Sequence, residues 1–392
     1  MSAAEPLRKQ LDRLQQRSLA IGAAASLACV FGAYFDPGQF FRSYLVAYIF
    51  WCGIAVGCLG FLMLHHLVGG RWGFVIQRPL ESAIRTLPLL ALLFLPVLLG
   101  MQELYLWARP EAAADELLRQ KSPYLNGPFF IARALAYLAI WIGIGHFLTR
   151  WSLEQDRGAD RTLTRRLQLL SGPGLVLYGL TVTFSSIDWM MSLEPKWFST
   201  MYGMMFMVLY PLTALSFIVA IAFLLAGREP LSRVISPDRF HDLGNLLLAL
   251  VMLWAYLAFS QFLIVWSENL VEEIPWYLRR TAGGWGAVAV ALILFQFGLP
   301  FLLLLSRGTK RGAATLATVA SVVLLMCWIN LFWLIAPAFY PGKLQIHWLD
   351  LLTPVGIGGI WLAVFFRHLK RPSLLPLHDP RFAGPAGEMQ GA

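Results

Sequence analysis

The sequence predicts an all-α, polytopic membrane protein with about ten transmembrane helices. Three observations carry that expectation. Of 392 residues, 58% are hydrophobic and only 14% charged, far from the balance of water-soluble domains. Apolar runs of about 20 residues recur at near-regular spacing, each long enough to cross a hydrocarbon core about 30 Å thick. The basic residues gather in the short segments between those runs, the ordinary signature of membrane topology.

Taken in order, the spans fall at roughly 18 to 34, 41 to 68, 80 to 107, 127 to 150, 169 to 193, 200 to 227, 239 to 267, 283 to 306, 313 to 336 and 347 to 367. A segment 1–17 precedes this single transmembrane domain, 18–367, and a tail 368–392 follows it. Pro37-Gly38, Gly69-Gly70, Asn126-Gly127-Pro128, Gly227, Gly308 and Pro341-Gly342 punctuate the ends, as helix breakers do at interfaces. Trp72, Trp107, Trp151, Trp197 and Trp276 lie near the same borders, where an aromatic belt is expected. The basic N-terminal segment before an apolar run has the outline of a signal peptide, but the orientation below is satisfied with it retained as the first span.

With a cytoplasmic N-terminus, the inner segments, which include Arg71 and Arg78, hold 21 Lys/Arg and the outer loops 8, with Arg85 and Arg133 inside spans. The excess places both termini on the cytoplasmic side of the membrane. It also accounts for the net charge of +9: the cations form no single patch interleaved with aromatics, so nucleic acid is not an expected partner. Cys29, Cys52, Cys58 and Cys327 lie singly in apolar runs, without the spacing of an iron–sulfur, zinc or attached-haem site. No phosphate-binding glycine motif is present. Gly53 and Gly57 form a GxxxG suited to close helix packing.

Ionisable groups inside spans are costly and therefore mark candidate sites. Near the outer face stand Glu103, Arg133, Asp188, Gln261, Glu268, Asn330 and Asp350; near the inner face stand His65, His66, Glu81, Arg85 and His146. Tyr178, Thr181, Ser185 and Asp188 are spaced to share one face of the fifth span, a polar track of about 15 Å along which hydroxyls could pass protons to a carboxylate. The alternative is that the hydroxyls bond back to their own helix and Asp188 pairs with Arg133. Gln261 and Glu268, two turns apart, form a second stripe. Glu272, Glu273, Arg279 and Arg280 read as a solvated loop, and Glu81 with Arg85 as an i,i+4 pair. His65 or His66 with His146 would serve as an inner proton relay or, less simply, as axial haem ligands.

At "SSIDWMMSLEPKWFST" (185–200) together with "YLAFSQFLIVWSENLVEEIPWYLRR" (256–280), the sequence resembles the ActF subunit family of alternative complex III. That family is related to the NrfD-like and PsrC-like quinol-interacting membrane proteins, and the resemblance extends over all ten spans in number and order. It implies two four-helix bundles, about 41–193 and 200–336, with two peripheral helices. It further implies a bacterial respiratory assembly that oxidises quinol and delivers electrons to cytochrome c or a terminal oxidase. The chain itself would carry no cofactor, a bound quinone aside. Haem c and iron–sulfur clusters would reside in partner subunits: a multihaem cytochrome c, an iron–sulfur protein and a monohaem cytochrome c, beside an ActC-like membrane subunit and lipid.

The family's first motif falls here on Asp188, Glu194, Pro195, Trp197, Ser199 and Thr200, and its second on Ser260, Gln261 and Glu268. A histidine–aspartate quinol site of the ActC kind would need an outer-face histidine, and only His347 approaches that face. A proton-conducting or architectural subunit is therefore expected in preference to a quinol-oxidising one. A secondary transporter is the alternative from another class. Its usual paired helix breaks near the midplane are not matched by Pro88, Pro96, Pro173 and Pro211.

Overall fold

The computed structural model describes residues 5–158, 161–227 and 236–370. Most of the C-terminal tail, Arg228 and Arg233 lie outside the described residues. Among the described residues ten helices are long and apolar enough to cross a membrane, and no strand occurs. The fold is all-α, as the run lengths dictate.

Spans one and two are α1 (Glu5–Phe35) and α2 (Pro37–Val68), the latter opened by Asp36, whose side chain accepts from the Gln39 amide. The third span is broken into α3 (Arg71–Ile84), α4 (Leu87–Leu92), α5 (Leu95–Leu99) and α6 (Met101–Leu104). Short helix α7 (Glu116–Lys121) leads to spans four and five, α8 (Gly127–Gln155) and α9 (Arg161–Trp189). Spans six and seven are α10 (Met201–Ala226) and α11 (Pro237–Glu268). After α12 (Ile274–Thr281), span eight comprises α13 (Trp285–Leu292), a π-helical turn Ile293–Gly298 and α14 (Leu299–Leu305). The last elements are α15 (Arg307–Arg311), α16 (Ala313–Ile335) and α17 (Trp348–Leu369).

The prolines act differently from one another. Pro88 and Pro96 open α4 and α5, where a missing amide costs nothing. Pro173 and Pro211 sit inside uninterrupted helices. In span eight the π-helical turn directly precedes Pro300, a common local adjustment to a lost hydrogen bond inside membranes.

Two bundles result. Helices α2, α3–α5, α8 and α9 pack as one, α10, α11, α13–α14 and α16 as the other, and they join along α2 and α10. Glycines make that junction. Gly53 lies against the Tyr210 ring, and a Cβ on Gly57 would collide with the Tyr210 carbonyl. Helices α1 and α17 pair outside the bundles, with Gly22 backbone to backbone against Gly359. Lys370 Nζ bonds Asp12 at 2.6 Å, which puts the start of α1 and the finish of α17 at one end. This is the near end, and Asp188 lies at the far end.

Helix α3 contacts α2, α8, α10, α11 and α17, and residues 73–84 are all buried. It therefore runs beneath both bundles at the near end before the chain turns at Arg85–Thr86 into α4. Large apolar side chains remain exposed on α1, α11 and α13–α14, including Phe31, Tyr256 and Leu302, as expected of surfaces facing lipid. The cysteines Cys29, Cys52, Cys58 and Cys327 are all free and buried.

Candidate functional site

The far end of the first bundle is built around Asp188, which is 0% exposed. Helix α8 starts at the Asn126 cap and presents Arg133 and, one turn later, Tyr137 toward the last turn of α9. Arg133 Nε donates to Asp188 Oδ2 at 2.7 Å and its Nη2 to Oδ1 at 3.0 Å. The Tyr137 hydroxyl donates to Oδ2 at 2.7 Å. This is a two-pronged, charge-assisted pairing completed by a phenol. The guanidinium also donates to the Tyr124 carbonyl at 3.0 Å and lies 3.9 Å from the Tyr124 ring centre and 4.2 Å from that of Phe129, a cation–π cradle. Burial, and then the Asp188 charge, push the Tyr124 phenol up.

Behind Asp188, residues Tyr178, Thr181 and Ser185 are all buried on the same face of α9. The Thr181 and Ser185 hydroxyls are used locally. Thr181 donates to the Leu177 carbonyl at 2.7 Å while accepting from Trp141 Nε1 at 2.8 Å, and Ser185 donates to the Val182 carbonyl at 3.1 Å. Deeper in the fold, the hydroxyls of Tyr178 and Tyr210 are buried without a hydrogen-bond partner among the described residues. Tyr178 packs on Gly60 and Tyr210 on Gly53, so both phenols face the α2 glycine stripe.

A second buried ion pair joins the two motifs. Glu194 follows the 3-10 turn Met191–Leu193 after α9, and Arg279 and Arg280 close α12. Arg280, 1% exposed, donates Nη2 to Glu194 Oε2 at 2.7 Å and to the Leu334 carbonyl at 2.6 Å. Its guanidinium lies 3.8 Å from the Trp276 ring centre. Arg279 donates to Glu194 Oε1 at 2.7 Å. Trp197 stacks on Trp276 at 4.7 Å, with the rings 14° apart. Burial depresses the Arg280 pKa, opposed by the Glu194 charge. The expectation of a wholly solvated loop is thus corrected: Glu272 is exposed and Glu273 half-buried, but Arg280 is core.

The other outer candidates disperse. Gln261 is buried, whereas Glu268, the last residue of α11, is exposed because the helix emerges beyond its neighbours after Val265. Glu103 is exposed beside Gly38 and Arg42. Asp350 accepts from Ser43 at 2.5 Å and Gln39 at 3.3 Å and forms a capping box with His347, so that histidine serves a helix start.

At the near end, Glu81 is held by Arg78 at 2.5 Å, by Ser152 at 2.6 Å and by Gln77 at 3.0 Å, rather than by Arg85 as the spacing suggested. Arg78 also pairs with Asp156. It is fully buried, not the loop cation the sequence implied. His65 and His66 are buried, with His65 packed against Trp72, Phe74 and Gly73. His146 is exposed on α8 and lines a different groove. Among the described residues, no three His, Cys, Asp or Glu converge to hold a metal.

These features define a polytopic α-helical membrane protein whose bundles carry buried ion pairs at both ends. No protein-family model matches the chain, and no curated protein matches it.

Proposed function

We propose that this chain is a membrane subunit, without a redox cofactor of its own, of a bacterial quinol:cytochrome c or quinol:oxidase oxidoreductase of the alternative complex III kind. In that assembly Asp188 exchanges a proton at the far end of the first bundle. The observation that supports this most is a carboxylate buried at the end of a membrane helix and held by one arginine and one phenol, since such groups inside membranes mark proton relays. Both Asp188 oxygens are occupied, so the carboxylate takes a proton only when Arg133 turns aside. The Tyr137 hydroxyl keeps its hydrogen bond to Oδ2 meanwhile, and the proton itself comes from water at the far end. Glu81 and the histidines His65 and His66 form the near-end counterpart, with both termini in the cytoplasm.

A groove of about 230 Å³ beside this site is bounded by Tyr124, Met191, Trp197 and Phe198 and contains Ser192. Ser192 donates to the Asp188 carbonyl at 2.5 Å. The groove's aromatic walls and few polar groups suit a quinol headgroup, and Tyr124 connects it to Arg133. Electrons would pass through the haem c and iron–sulfur partner subunits.

A second reading, an architectural anchor, is favoured by the own-helix bonds of Thr181 and Ser185. Asp188→Asn in the assembled complex separates the two. Intact assembly with lowered quinol oxidation or lowered proton release is the expected result. Normal turnover and proton release would leave the anchor.

A further inference from the structure

A groove of about 600 Å³ opens at the near end, where the α3–α4 turn, the last turns of α8 and the end of α17 meet. Its cations are Arg85, Arg150 and Arg157, with the imidazoles of His146 and His368 beside them, against a single carboxylate, Glu154. Glu154 is already engaged by Arg150 Nε at 2.8 Å. Arg157 is exposed and makes no ion pair among the described residues. Its apolar lining includes buried Ile84, half-buried Ile142 and exposed Pro88.

The order along α8 matters. Ile142, His146 and Arg150 follow at steps of four, so they share a face, and Arg157 lies beyond the helix end. From His146 to Arg157 the rise is about 16 Å at helical spacing, which covers the passage from hydrocarbon to headgroup depth. The Thr149 hydroxyl is turned into its own helix, onto the Gly145 carbonyl at 2.7 Å. Guanidinium and imidazole donors therefore dominate the polar part of the groove.

We propose that this groove binds an anionic phospholipid, with its phosphodiester on Arg150 and Arg157 and an acyl chain against Ile142 and Pro88. Basic pockets between helices select such headgroups through charge, and guanidinium forks match phosphate oxygens. Exposed Pro88 and half-buried Ile142 beside the basic residues give the groove an apolar edge, which favours a lipid over free phosphate as the source. This site is separate from the Asp188 end and does not depend on the proton role.

The test is native mass spectrometry of the full-length chain in detergent, titrated with phosphatidylglycerol, with phosphatidylcholine of the same chains, and with inorganic phosphate. Wild type should retain phosphatidylglycerol in preference to phosphatidylcholine. Arg150→Gln with Arg157→Gln should weaken that retention about thirtyfold, and Arg150→Lys with Arg157→Lys, which keeps the charge but not the forks, should fall between it and wild type. Both arginines are exposed, and circular dichroism checks that the variants fold. Equal retention by wild type and the glutamine variant would overturn the proposal. So would equal binding of the two lipids, or inorganic phosphate displacing the lipid completely at equal concentration.

Discussion

Glu194 and Arg280 stand 86 residues apart in the chain, yet their side chains meet at 2.7 Å in a buried pair. The contact ties the turn that closes the first bundle to the helix that leads into the middle of the second. The Arg280 bond to the Leu334 carbonyl extends the tie to the end of α16. Glu194→Gln leaves Arg280 buried without a counter-charge, so stability should fall by about 3–5 kcal/mol. Arg279 is 45% exposed, so Arg279→Gln should cost under about 1 kcal/mol. Thermal denaturation in detergent compares them, and equal losses would contradict the asymmetry.

Arg133 and Asp188 should behave as a unit. Arg133→Gln strands a carboxylate that is 1% exposed, with an expected loss of about 3–5 kcal/mol. Replacing both, Arg133→Met with Asp188→Leu, should recover at least half of that, because two desolvated charges disappear together. A double-mutant cycle on melting temperature reads the coupling, and additive losses would argue against it.

The junction between the bundles should be sensitive to a single methyl group. Gly57→Ala forces α2 away from the Tyr210 carbonyl, and overpacking of this kind costs about 1–3 kcal/mol. Gly143→Ala on α8 meets nothing within 4 Å and should leave stability unchanged or slightly raised. Parallel melts of the two alanine variants check the contrast.

The loop that carries α7 should respond to acid. Asp115 caps α7 by accepting from the Leu117 and Leu118 amides. A hydrogen bond from Lys196, followed by the Leu118 amide, holds its carboxyl below the usual range. Because the folded pKa is depressed, the contribution is present above the unfolded value of about 3.9. It is lost as pH falls through the lower folded value. Proteolysis of the 110–125 segment should accelerate in that acid window in wild type, and Asp115→Ala should remove the pH dependence.

The ten spans were legible because hydropathy and length are local properties. The α2 glycines likewise read correctly as a packing seam. What escaped was pairing across the fold. Arg280 and Arg78 looked like loop cations, since a charge between apolar runs has the same sequence appearance whether it meets water or a carboxylate on another helix. Most of α3 fell outside the span expected at 80 to 107, because its polar residues interrupt the apolar run and pattern alone does not show that α3 runs beneath both bundles. Glu268 shared a stripe with Gln261 by spacing, but α11 outgrows its neighbours, and periodicity does not record where a helix leaves its bundle. For Asp188 the sequence offered both a hydroxyl track and an Arg133 pair. The structure shows the Arg133 pair and turns the Thr181 and Ser185 hydroxyls into their own helix.

All four native thiols are enclosed within the fold. A polar maleimide applied to whole cells should therefore find little to label in the unaltered protein. Each newly introduced surface cysteine becomes an address that reports which side of the membrane it occupies. Placed at Glu272 and at Arg157, two such addresses would fix the sidedness of the chain without first stripping its own sulfur.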